Sequence, residues 1–194
     1  MHEPSGVDAT TFNRFYKQGW DLSRGELLVD PEPSLTRPGW WARRRLRRAI
    51  GAFRKALAIF PESWQSLWAL GKIHQRLGAH QEAFDYFAKA HSIDPGQVDV
   101  AREAGIAAID IGRPVEAVMY TRAALTQVPN DPGLISNLAV AQLISGDSAM
   151  ALESIKTARR LAPNDPISQA VEIRVQDTIA GRRPMPRTIK DLLA

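Results

Sequence analysis

The 194-residue chain contains no cysteine. That absence excludes disulfides, thiolate metal centres and cysteine nucleophiles together, and it fits a reducing compartment. Histidine is scarce too. His2, His74, His80 and His91 have no neighbouring Asp or Glu at metal-ligand spacing, so no metal site is expected. Strand-like alternation is missing, which leaves no strand for a Gly-rich phosphate loop to follow. No catalytic constellation stands out, and the chain reads as a non-enzyme without a cofactor. No apolar run is long enough to span a bilayer, and the start MHEPSGVDATTF lacks a basic segment followed by an apolar one. The expectation is a soluble, cytoplasmic protein.

What is present begins with 44% hydrophobic residues, enough for one domain with a real core. The net charge of +4 is unevenly spread. Residues 1–60 hold 11 Lys and Arg against 6 Asp and Glu, residues 61–165 hold 9 against 12, and residues 166–194 hold 5 against 3. A polyanion would therefore meet an end of the chain before its middle.

The strongest order is a period. Pro-Asn-Asp-Pro at 129–132 returns at 163–166, and the same interval of 34 carries Pro129 back to Pro95 and Pro61. Gly78, Gly112 and Gly146 share that spacing and suit left-handed caps at helix C-termini. Asp131 and Asp165 suit N-caps, with Pro132, Pro166 and Pro114 at first helical positions and Ser63 as another cap. Helix pairs are thus expected over 64–97, 98–131 and 132–165.

The ends do not repeat. After a polar stretch over 1–9, Phe12, Phe15, Tyr16, Gly19 and Trp20 follow helical spacing from Thr11 onwards. Pro31, Pro33, Pro38, Gly25 and Gly39 mark a long loop over 23–41. A helix from Ala42 to Ile59 follows, with Leu46, Ile50, Phe53 and Leu57 as its apolar stripe and arginines over the rest. A last helix over 166–180 puts Ile167, Val171, Val175 and Ile179 on one stripe, as a cap with Arg174 among its polar positions would. A basic tail over 181–194 ends in Ile189, Leu192 and Leu193, which either stay loose or dock in a groove.

Leu67, Leu70, Gly71, His74, Ala83, Phe87, Ala90 and Pro95 fall on the pattern Trp-x-x-Leu-Gly-x-x-Tyr, Ala-x-x-x-Phe, Pro. Gly105, Ala117, Ala124 and Pro129 repeat its small and turn positions, as do Leu138, Ala139, Ala151, Ala158 and Pro163. In these residues the chain resembles the tetratricopeptide repeat family, although neither Trp nor Tyr holds its family position in a full repeat. Ala49, Phe53, Ala56 and Pro61 resemble the second half of an earlier repeat. The resemblance implies an all-α, right-handed α-solenoid of three full helix pairs over 61–165, an irregular first repeat over 1–60 and a C-terminal capping helix. It also implies a non-enzymatic adaptor or chaperone that holds a peptide of a partner protein in a concave groove. Residues about 100° round from the buried face of each first helix are the groove candidates: Trp68, Lys72 and Gln75, then Arg102, Ile106 and Ile109, then Ser136, Val140 and Leu143, with Asn137 beside them. Trp68 has a second reading, as cover for the inserted loop or the neighbouring helix.

Another kind of partner is suggested by Trp40 and Trp41 followed by Arg43, Arg44 and Arg47. Adjacent tryptophans and arginines suit an anionic membrane surface or nucleic acid. Since Leu46, Ile50 and Phe53 must join the stack, a solvated basic outer face is the favoured reading. Homo-oligomerisation through the tail or the terminal helix is a further possibility. His74 lies on a core-facing position, where a hydrogen-bonded structural histidine is expected.

Overall fold

The computed structural model describes residues 6–27, 38–188 and 191–192. These fall into two compact units, Met1–Asp94 and Pro95–Ala194. Among the described residues every regular element is an α-helix.

The first unit holds α1 (Gly6–Ser23), α2 (Trp40–Ile59), α3 (Trp64–Leu77) and α4 (His80–Ile93). α1 pairs with α2 and α3 with α4, and α2 packs on α3. The small first-helix residues have the role the pattern assigns them. A methyl group on Gly71 would lie 2.5 Å from the Phe87 ring, so only glycine admits the contact between α3 and α4. Gly19 plays the same part for α1, where a methyl would meet the Phe53 ring at 2.7 Å. Gly19 and Phe53 are 34 residues apart and Gly71 and Phe87 are 16, so the α1–α2 pair is a repeat lengthened by 18 residues between its helices.

Two expectations about this unit are corrected. Helix α1 starts at Gly6 and not near Thr11, so residues 6–9 are not loose. Helix α2 starts at Trp40, which puts both tryptophans inside it. Of the loop expected over 23–41, Arg24–Leu27 form a turn with Leu27 buried, while residues 28–37, Pro31 and Pro33 among them, lie outside the described residues.

The second unit holds α5 (Val98–Asp110), α6 (Pro114–Gln127), α7 (Pro132–Ile144), α8 (Ser148–Leu161) and α9 (Pro166–Ile179). The pairs are α5 with α6 and α7 with α8, and α9 packs on both α8 and α7. Local chemistry sets the boundaries as expected. Ser63, Asp131 and Asp165 each accept a backbone N–H at the start of their helix, and Pro114, Pro132 and Pro166 stand in the first turn. Gly78, Gly112 and Gly146 take φ of 79°, 72° and 91°, a region costly for any residue with a Cβ.

The final helix departs from its expected facing. Ser168, Val171, Arg174 and Val175 form its buried line, whereas Ile167 is 69% exposed and Ile179 is exposed as well. The reason is Arg174, which donates to the backbone carbonyls of Pro184 at 3.3 Å and Asp191 at 2.9 Å. Those bonds fold the segment after α9 back on the helix, with Pro186 and Leu192 buried. Ile189 and Leu193 lie outside the described residues.

Candidate functional site

In the first unit the candidate face of α3 is largely engaged by the chain itself. The Trp68 ring lies 6.2 Å from that of Trp20 on α1 and packs on the cluster formed by Leu27, Leu46, Phe53 and Leu70. Trp68 thus covers a neighbouring helix while staying half-buried. The Trp68 indole N–H is buried and has no acceptor. Lys72, one turn on, sets its ammonium 6.0 Å from the Trp68 ring and is half-buried, as is Gln75. Nearby, Glu26 receives Arg76 at 3.5 Å and Arg45 at 3.4 Å, so a carboxylate of the chain already occupies the cations beside this face.

His74 packs against Tyr86, with ring centroids 5.2 Å apart and the planes tilted by 37°. Both of its ring nitrogens are buried without a hydrogen-bond partner, which corrects the expectation of a hydrogen-bonded histidine. Burial pushes its pKa below the ordinary value. Glu82 acts in the opposite sense and Arg54 in the same one.

In the second unit α5 and α7 lie against each other, joined by Arg102. Its guanidinium binds Asp131 at 2.8 Å and Asp99 at 3.1 Å. Asp131 also accepts from the Leu134 N–H, so Arg102 secures the cap of α7 while remaining 33% exposed. Ile106 and Asn137 are half-exposed. Val140 is not open: at 6% exposure it is a packing residue, and Ile109, Ser136 and Leu143 are buried too. On α7 the cover comes from α9, whose Ser168 hydroxyl meets that of Ser136 at 2.7 Å. Since Ser168 donates to Asp165, the bond runs from Ser136 to Ser168 to Asp165. These bonds and the two backbone N–H groups at the cap hold the Asp165 carboxyl below the usual range.

On α2, Trp40 is 62% and Trp41 73% exposed, with rings edge to face at 4.3 Å. Arg44 lies over Trp40 at 5.7 Å, Arg43 donates to the Pro38 carbonyl at 2.9 Å, and Arg44 and Arg47 point to solvent. Among the described residues no group of three His, Asp or Glu could hold a metal ion, and no helix is long and apolar enough to cross a membrane.

Comparison with known proteins gives this arrangement a family. Residues 41–98 match the model of the tetratricopeptide repeat. Over those residues the sequence is tetratricopeptide repeat. The match runs from the Trp pair to the start of α5, so the basic helix belongs to the repeat array. The chain is 34% identical over 50 residues to the CTR9 homolog of Arabidopsis thaliana, 26% of this chain and 5% of that protein. Among solved structures, MamA is 17% identical with a TM-score of 0.73 over 95% of this chain and 91% of its own. YrrB, described as a TPR protein with an unusual peptide-binding site, is 18% identical with a TM-score of 0.64 over 77% of each chain. The first TPR of Spaghetti (RPAP3), solved bound to the HSP90 peptide SRMEEVD, is 16% identical with a TM-score of 0.57 over 61% of this chain and 94% of its own. Likeness at these identities shows the fold, an all-α solenoid.

The residue reading missed two features. Arg174 falls between Val171 and Val175 on the buried line, and that i, i+3, i+4 placement is the signal that was available. The placing of Glu26 on Arg45 and Arg76 has no sequence signal, because the separation is set by how the lengthened first repeat folds back.

Proposed function

We propose that the chain is a non-enzymatic protein-interaction module, an adaptor or chaperone that holds a peptide segment of a partner on the first helices of its repeats. The observation that carries this reading is the half-exposed set of Arg102 and Ile106 on α5 with Asn137 on the adjoining α7. A cation, an aliphatic side chain and an amide on neighbouring helices suit a peptide with acidic and apolar anchors. Lys72 and Gln75 on α3 offer a cation and an amide in the first unit. YrrB and the RPAP3 repeat domain, which are described with peptide sites, support the reading by fold.

Panning a random-peptide display library against the folded chain tests it. Selected peptides enriched in acidic and aliphatic residues are expected, with affinity measured by fluorescence anisotropy. Ile106→Glu and Asn137→Glu should each weaken binding by about tenfold, the range of a lost anchor or a like-charge contact at an interface. Peptides whose affinity ignores both substitutions would refute the assignment.

A further inference from the structure

The solvent side of α2 is a second surface, independent of the peptide face. Successive residues of a helix turn by 100°, so Arg44, Arg47, Arg48, Arg54 and Lys55 share the side opposite the buried Leu46, Ala49, Phe53 and Ala56. All five are exposed. The 20 residues contain seven cations and no carboxylate. A charge of that density in one strip is complementary to an anionic surface and to little else. Gly51, between Arg47 and Arg54, is exposed with nothing within 4 Å of where its Cβ would be, which leaves the strip flat at its centre. At one end of the strip stand the exposed Trp40 and Trp41.

We infer that this face binds the surface of an anionic phospholipid bilayer, the cations meeting headgroup phosphates and carboxylates while Trp40 and Trp41 enter the interfacial layer. Three observations favour lipid over single-stranded nucleic acid. The two indoles are 80° apart and do not form parallel platforms for successive bases. One face of Trp40 is already taken by Arg44. Indole rings at the tip of a basic strip match the preference of tryptophan for the membrane–water boundary. Because the apolar side of α2 is buried in its own unit, the helix cannot roll over and lie in the interface. Binding then rests on charge plus two rings, so it is reversible and sensitive to salt.

Co-sedimentation of the full chain with vesicles decides the matter. The vesicles are phosphatidylcholine alone or with about 30% phosphatidylserine, at about 50 and about 300 mM salt. Binding is expected only to the anionic vesicles, falling at least about tenfold at the higher salt. Arg44→Gln with Arg47→Gln should lower the partition by about thirtyfold, at about fivefold per cation. Trp40→Ser with Trp41→Ser should lower it at least about fivefold and abolish the blue shift of tryptophan emission on binding. All these positions are exposed, and unchanged thermal melting of each variant confirms that the fold persists. Three results overturn the inference: no sedimentation at low salt, sedimentation indifferent to the tryptophan pair, or tighter binding to a single-stranded RNA oligonucleotide than to the vesicles.

Discussion

Gly71 and Gly105 show how single atoms fix the repeat. A methyl on Gly71 would strike the Phe87 ring at 2.5 Å, whereas a methyl on Gly105 would meet the Thr121 hydroxyl at 2.7 Å. The ring is wholly buried and cannot retreat, so Gly71→Ala should cost about 1–3 kcal/mol in urea unfolding, in the range of overpacked cores. Asp165→Ala removes an N-cap, with an expected loss of about 1 kcal/mol by the same measurement. His74 gives a pH signature. Its folded pKa lies below the unfolded value of about 6.5, so the unfolded chain binds more protons in the window beneath that value. Stability is therefore complete above pH about 6.5 and declines as pH falls towards the folded pKa. His91, also lowered chiefly by burial, acts in the same direction. His74→Phe should flatten part of the decline below about pH 6.5 in denaturant titrations; a slope identical to that of the parent would contradict the account.

Among elements, the contrast lies between helices that repeat and those that do not. The caps at Ser63, Asp131 and Asp165 and the turns at Gly78, Gly112 and Gly146 were legible from residue type and spacing because they depend on local backbone chemistry. The lengthened first pair was legible only in part: Ala49, Phe53 and Ala56 marked α2, while the fit of Gly19 to Phe53 depends on a fold that closes over 34 residues. Helix α9 misled for a related reason. Its isoleucines suggested a stripe, yet the segment after the helix supplies carbonyls that make Arg174 the better residue to bury. Removing residues 184–194 should leave that guanidinium without its two acceptors and lower stability by about 3–6 kcal/mol, two charge-assisted bonds at about 1.5–3 kcal/mol each. Arg174→Met in the shortened chain should recover much of the loss, because an apolar side chain does not need the missing acceptors. Chemical unfolding of the three proteins reads this out directly.

At the scale of the molecule, the site candidates divide by what surrounds them. Trp68 and Val140 hold the angular position of groove residues on first helices, but Trp20 packs on the one and α9 covers the side of the other. Periodicity finds such positions reliably and says nothing about which elements outside the period will cover them. Lys72 and Gln75 in the first unit and Arg102, Ile106 and Asn137 in the second keep partial exposure, and the proposed peptide contact rests on the latter three. Arg102 has a double duty. Replacing it with Glu would set a carboxylate against Asp131, so Ile106→Glu is the cleaner probe of binding. The most direct measurement is a titration of the 15N-labelled full chain with a selected peptide, followed by amide chemical shifts. The account predicts perturbations on α5 and α7 around Arg102, Ile106 and Asn137, with the amides of Arg44, Arg47 and Arg48 unmoved. Perturbations confined to α2, α4 or α6 would contradict it.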